Sequence, residues 1–196
     1  MADWVGDTNS VMKTLGSRWN CLEDRSEDDY YATDPKAIDC LLKVAKPFNS
    51  IWECACGEGH LSKRLIEYGF DVYSSDLRNR GFGVGGVDFL RVSDIWHGDI
   101  LTNPPYKYGR EFCEHALEIL EDGRSAWMFV KLQFLEGRER RKLYDTKQLK
   151  AIYVSSGRIK CAKNGDFEHM QGSAVAYMWA QFEKGYSGNA SIYWIN

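Results

Sequence analysis

The residues best suited to chemistry are Asn103-Pro104-Pro105-Tyr106, placed directly after Asp99-Ile100-Leu101-Thr102, a run that reads as the end of a buried strand. They suit methyl transfer to a planar nitrogen. The amino group of adenine, or of a carboxamide, has its lone pair delocalised into a π system and is a poor nucleophile. An Asn side-chain oxygen and the following Pro carbonyl can accept its two N–H protons and draw the nitrogen toward sp³. Two prolines stiffen that carbonyl, and Tyr106 offers a face on which a planar target can stack. This is electrostatic preorganisation and requires neither a general base nor a metal. The same four residues also suit an ordinary strand-to-loop turn, because Asn-Pro and Pro-Pro punctuate loops.

A second motif lies upstream. The stretch from Ser50 to Leu61 reads as a short apolar strand with Glu53 near its end, a turn holding Gly57 and Gly59, and then an amphipathic helix. Glycines there let the backbone approach a ligand closely. A dinucleotide fingerprint would continue to a third glycine, but Ser62 stands there, and the acid precedes the glycines. A carboxylate in that place favours a cation over a phosphate, and S-adenosylmethionine carries both a sulfonium and an ammonium. Asp76 ends the next predicted strand, near the distance at which a carboxylate meets ribose hydroxyls in doubly wound folds; a solvated turn acid is the alternative. Asp88 could accept from an adenine amino group while Phe89 or Leu90 covers the ring. The run Gly81 to Gly86 reads as a flexible loop, since it lacks a lysine and a following helix.

In this order the motifs resemble those of small phage- or prophage-type DNA N6-adenine methyltransferases of the gamma class. Tyr31-Ala32-Thr33-Asp34-Pro35 is similar to that family's N-terminal cofactor-covering segment, and Lys131 to Gly137 is similar to its segment after the fifth strand. The similarity runs from Tyr30 to Ile195. It implies an α/β, Rossmann-like class I methyltransferase with a mostly parallel seven-stranded sheet and an antiparallel edge strand. It also implies S-adenosylmethionine as cofactor, held by Tyr31, Thr33, Pro35, Glu53, Ala55, Gly57, Gly59, His60, Asp76, Leu77, Asp88, Phe89 and Leu90. Asn103, Pro104, Pro105 and Tyr106 would be catalytic, and the substrate would be the N6 amino group of adenine in DNA. The tetrapeptide is shared with RNA adenine and protein glutamine methyltransferases, so it names the chemistry better than the target. A cofactor- or DNA-binding module without activity is the non-enzyme alternative. N4-cytosine enzymes usually carry Ser where this chain has Asn103, and the large target-recognition domain of many DNA enzymes has no counterpart here.

The elements that must position these residues follow from periodicity. Helices are expected over Lys36–Val44, His60–Tyr68, Tyr108–Leu120 and Arg138–Tyr144. Strands are expected over Ile51–Cys54, Asp71–Ser75, Asp99–Thr102, Ala126–Leu132, Leu149–Ser155, Ala174–Phe182 and Ser191–Ile195. Residues 1–30 read as an irregular polar arm and 31–196 as a single catalytic domain, the size one core can fill. No apolar run is long enough to span a bilayer, and Met1-Ala2-Asp3-Trp4 does not begin a secretory signal, so a cytoplasmic protein is expected. The six cysteines form no C-x₂-C pair and read as reduced thiols, and the four histidines make no metal spacing.

Net charge is −3, yet between Arg124 and Lys163 eleven Lys and Arg face only Glu136, Glu139 and Asp145. That asymmetry fits a face for phosphates, with Arg138, Arg140, Arg141, Lys142 and Lys131 as substrate-binding candidates; a solvated helical face is the alternative. Phe167 is a candidate second aromatic wall for the target, or equally a hydrophobic anchor.

Overall fold

A computed structural model describes residues 30–163, 165–168 and 175–196, so the expected N-terminal arm lies, apart from Tyr30, outside the described residues. Strand β1 (Tyr31–Thr33) precedes helix α1 (Lys36–Leu42), which Pro35 opens with its backbone already helical at φ −51°. Strand β2 (Ser50–Glu53) passes through a glycine turn into α2 (His60–Glu67) and β3 (Asp71–Asp76). Then come β4 (Val84–Gly85), β5 (Asp99–Thr102), α3 (Gly109–Ile119), β6 (Ser125–Lys131) and α4 (Arg141–Asp145). The chain ends with β7 (Leu149–Ser155), β8 (Cys161–Lys163), β9 (Tyr177–Glu183) and β10 (Ser191–Ile195).

All seven expected strands form, although Ala174, the expected start of β9, lies outside the described residues. The two-residue β4 adds an eighth, giving the order β10, β7, β9, β6, β5, β2, β3, β4. It forms within the expected Gly81–Gly86 loop because Gly83 comes so close to β3 that a Cβ would lie 2.6 Å from the Ser74 carbonyl oxygen. The sheet is parallel except for β9, which runs against both β6 and β7. That antiparallel member has β7 and β10 outside it, because the link 184–190 carries β10 across to pair in parallel with β7. On β10, Ile192, Tyr193 and Trp194 are exposed.

Successive strand residues point to opposite faces. Trp52, Ile100 and Met128 pack with Phe112, Cys113 and Ala116 of α3. Their neighbours Ile51, Leu101 and Phe129 pack with Ile38 and Leu41 of α1 and Leu61 and Leu65 of α2. The helix expected over 138–144 is divided: a 3₁₀ turn, Arg138–Arg140, leads into the short α4. Arg140 turns its guanidinium back onto the carbonyls of Gln133 and Glu136, which fixes that turn.

Strand order reverses between β2 and β5: β3 lies beyond β2 on one side, β6 beyond β5 on the other. In open α/β sheets the crevice at such a reversal, outside the carboxyl ends of the strands, is where ligands bind. Glu53 and Asn103, at and just after the ends of these two strands, are brought together in this way.

The opposite end of β5 is fixed by Asp99, only 4% exposed. Its carboxylate accepts from the backbone N–H groups of Phe48 (2.9 Å) and Ser125 (2.9 Å) and from Trp127 Nε1 (2.8 Å). These three donors tie the approach to β2 and the start of β6 to β5. Asp99→Ala leaves the Ser125 N–H and Trp127 Nε1 buried without this acceptor and the Phe48 N–H partly so, and each buried group costs about 1–3 kcal/mol. The expected loss of stability is therefore about 3 kcal/mol or more, read by urea denaturation; a loss below about 1 kcal/mol would remove Asp99 from this role.

Candidate active site

The turn after β2 depends on its glycines. Gly57 (φ 56°) and Gly59 (φ 78°) are left-handed, and a Cβ on either would lie 2.3 Å from an aromatic ring, Tyr30 for Gly57 and Phe82 for Gly59. Asp76 faces this turn from the end of β3. One carboxylate oxygen accepts from Gly57 N–H (2.9 Å) and the other from Arg78 N–H (2.8 Å), while further lone pairs remain for a ligand. Asp88 caps the 3₁₀ turn Phe89–Arg91 by accepting from Leu90 N–H (3.2 Å), and its other oxygen meets Arg91 Nε at 3.2 Å. Phe89 is buried against Phe112.

Glu53 is 2% exposed. Its carboxyl accepts from the Ser62 hydroxyl, which lies 2.6 Å from that of Ser74. Burial without a cationic partner pushes its pKa up from 4.5 to about 8, while the bonds from Ser62 act in the opposite direction. At neutral pH the group is mostly protonated. A cation placed beside it would favour its ionisation.

Asn103 follows β5, and its amide is oriented by the N-terminal strand. Nδ2 donates to the Tyr31 carbonyl (3.0 Å) and to Thr33 Oγ1 (2.8 Å). Since a carbonyl oxygen can only accept, this bond determines which end of the amide is nitrogen. Oδ1 is left buried without a partner among the described residues. β1 is itself held by antiparallel pairing with β8, Thr33 opposite Cys161. The Tyr106 ring packs with Tyr31 (5.5 Å between centroids) and Tyr177 (6.2 Å). Its hydroxyl is buried near Cys161 and Tyr177 without a well-aligned hydrogen bond, and burial holds its pKa well above the ordinary value.

One cavity of about 440 Å³ connects these groups. Of the expected cofactor set, Tyr31, Thr33, Glu53, Ala55, His60, Asp76, Leu77, Asp88, Phe89 and Leu90 line it, as do Asn103, Pro104, Pro105 and Tyr106. Gly57 and Gly59 shape the turn without lining the cavity, and Pro35 lies in a separate groove along α1 and α2. Phe167 packs on His60 at 5.5 Å and is not among the lining residues. The wall also contains Tyr30, Arg78, Arg80, Lys107, Tyr108 and Phe112, which the motif reading passed over. Arg78 and Arg80 follow Asp76 by two and four residues, so strand-end counting could have found them.

The basic segment is not one face. Arg124 and Lys131 stand at opposite ends of β6, roughly 20 Å apart at the rise of a strand. Arg124 stacks on Phe48, and Lys131 holds its ammonium 4.6 Å from the Tyr106 ring centre. Arg140 is engaged by its own loop, and Arg141 pairs with Asp145 at 2.6 Å. None of Arg138, Arg140, Arg141 and Lys142 lines the cavity, and Lys131 meets it only through the Tyr106 ring it lies over.

No protein-family model and no curated protein matches the sequence. Solved structures do. A protein from Listeria monocytogenes, described as a class I S-adenosylmethionine-dependent methyltransferase, is 13% identical with a TM-score of 0.55, over 81% of this chain and 62% of that one. A Vibrio vulnificus protein, described as a modification subunit of a type I restriction enzyme, is 14% identical with a TM-score of 0.57, over 95% and 50%. A Pyrococcus horikoshii protein, described as an RNA methyltransferase, is 15% identical with a TM-score of 0.50, over 73% and 77%. The chain thus spans less than two thirds of the length of the first two. At these identities the likeness establishes the fold, which is the expected Rossmann-like class I methyltransferase architecture.

The buried Glu53 carboxyl has a measurable consequence without any ligand. Its folded pKa of about 8 exceeds the ordinary 4.5, so the folded state retains a proton that the unfolded chain releases. Glu53 therefore leaves stability unaffected below pH 4.5 and lowers it progressively as pH rises from there to about 8. Denaturation of wild type and Glu53→Gln across pH 4–9 should show the variant gaining relative stability by up to about 1.4 kcal/mol per pH unit in that window. A pH-independent difference would mean that Glu53 ionises normally.

Proposed function

We propose that the chain is an S-adenosylmethionine-dependent methyltransferase that modifies the N6 amino group of adenine in DNA. The observation that carries this reading is the orphaned Asn103 Oδ1, a buried acceptor without a partner among the described residues, held in one orientation by two bonds from the other end of the same amide. A buried acceptor left unpaired is costly, and an exocyclic amino group in the cavity would satisfy it.

The donor set fits the cofactor. Glu53 would receive the ammonium, Asp76 the ribose hydroxyls, and Asp88 with Phe89 and Leu90 the adenine. When bound, the cofactor supplies an electrophilic methyl group. Asn103 Oδ1 and the Pro104 carbonyl accept the two N–H bonds of the target amine and draw its lone pair out of the ring. The neighbouring Pro105 carbonyl is taken by Tyr108 N–H (2.8 Å), which keeps the prolyl turn rigid. After transfer the nitrogen is cationic, and its proton departs to water without a dedicated base. Because the cavity lies at the sheet's carboxyl edge, the adenine must be flipped out of a duplex or offered in a single strand.

A DNA target is supported by the cations around the Tyr106 end of the cavity and by the likeness to a restriction-modification subunit. The likeness to a protein described as an RNA methyltransferase favours RNA adenine as the second reading. Expression in a host lacking adenine methylation, followed by mapping of modified bases in its DNA and RNA, separates the two. N6-methyladenine confined to RNA would transfer the assignment to RNA, and its absence from both would end the nucleic-acid reading.

Two results should accompany methylation. Asn103→Ala should lower single-turnover rate by about a hundredfold or more while leaving cofactor affinity nearly unchanged, since the lost acceptor acts on the target in the transition state; a wild-type rate would refute the mechanism. Asp76→Ala should instead weaken cofactor binding about ten- to a hundredfold.

Cofactor binding should also be linked to protons. Because Glu53 must ionise to meet the ammonium, affinity should rise with pH toward about 8 and fall above it as the cofactor's own α-ammonium deprotonates, with proton release at pH 7. Calorimetry in buffers of different ionisation enthalpy reads that proton. Equal apparent enthalpies in all buffers would place the ammonium elsewhere.

A further inference from the structure

We propose that Lys131 is an exchangeable guard of the target site: it covers the stacking face of Tyr106 in the free protein and moves to a phosphate flanking the target adenine when the base arrives. This rests on the nucleic-acid reading above and goes beyond it by assigning a phosphate subsite and a mode of selection.

Lys131 is the last residue of β6, paired across the sheet with Tyr177 of β9. That register places its stem beside the Tyr106 ring and its ammonium 4.6 Å from the ring centre. Among the described residues no carboxylate forms an ion pair with it, whereas other cations of the segment, such as Arg141 and Lys150, do have acidic partners. The ring itself is firmly placed, its hydroxyl buried and its flanks packed by Tyr31 and Tyr177. When a planar target claims the face of Tyr106, Lys131 is therefore the group that yields.

The exchange is favourable only for some targets. An ammonium on a partly exposed ring is held weakly, and base stacking on an aromatic is the stronger contact. The displaced ammonium then needs a counter-charge. A nucleotide brings one on its own backbone, covalently attached to the base that displaced the lysine. A free nucleoside or a side-chain amide brings none, so for these Lys131 is an obstacle. Lys107, over the Tyr108 ring at 5.2 Å, is a second lysine that follows Tyr106 in the cavity wall.

A plain phosphate contact and an exchangeable guard differ in sign, and this makes the test decisive. The probes are a duplex carrying the site mapped above, the same duplex with neutral methylphosphonates on both sides of the target adenine, and 2′-deoxyadenosine. Single-turnover methylation is measured with wild type, Lys131→Ala and the isosteric Lys131→Gln. On the ordinary duplex both variants should lose about tenfold. On the methylphosphonate duplex they should equal or exceed wild type, and on 2′-deoxyadenosine they should exceed it several-fold, a gain that misfolding cannot produce. A tenfold deficit persisting on the neutral duplex, or no gain on the nucleoside, overturns the inference while leaving adenine methylation standing. A host whose DNA and RNA acquire no N6-methyladenine would instead remove the parent reading, and this one with it.

Discussion

The site depends on one amide being held by one strand. Asn103 Nδ2 spends both hydrogens on Tyr31 and Thr33, residues some seventy positions earlier, so its oxygen has only the cavity to face. Without β1 the amide could rotate, and the acceptor would be lost half the time to a donor of nearly the same shape. β1 is too short to be stable alone. It draws its order from three pairings with β8, from the Asp34 N–H bond to the Lys160 carbonyl (3.0 Å), and from α1, onto whose Ala37 carbonyl Trp179 donates at 3.1 Å. The strand whose residues line the cavity therefore also aims the group proposed to act on the target.

Two carboxyls of the cavity wall, Asp76 and Glu53, sit in different environments. Asp76 takes two backbone N–H bonds at the edge of the cavity. Glu53 accepts from the Ser62 hydroxyl and backbone, but it is almost fully buried, and that burial outweighs the two bonds and raises its pKa. At the ends of two neighbouring strands, the fold thus provides one acceptor held by two backbone amides and another that becomes ionic in response to a cation.

Much of this architecture was legible before any coordinates, because buried parallel strands are apolar runs between turn signals and the two motifs lie at strand ends. Ile51, Ile100 and Met128 announce their strands by composition alone. The position of β9 was not legible in that way, since its pairing with β6 and β7 is set by register across distant segments. Nor was the partition of the basic residues: charge along the chain says nothing of Arg140 folding back on its own carbonyls, or of Arg124 and Lys131 standing at opposite ends of a strand. Phe167 suits either a second aromatic wall for the target or a hydrophobic anchor when only the sequence is read. Its contact with His60 joins residues more than a hundred positions apart, which no local pattern encodes. Thr33 was placed correctly beside the cavity, but its hydrogen bond to Asn103 is purely tertiary.

The late arrival of β9 bears on how the chain folds during synthesis. Residues Ser125 to Val130 of β6 are all buried, and one edge of that strand has no partner until β9 has been made. At ribosomal speeds of about 5–20 residues per second, the intervening stretch takes roughly 3–10 s to emerge. Through that interval a flat, apolar strand edge is open to pairing with other chains. The nascent chain is consequently most vulnerable to aggregation after β6 and before β9, and a chaperone that shields this half-built sheet would act in that window rather than on the finished molecule.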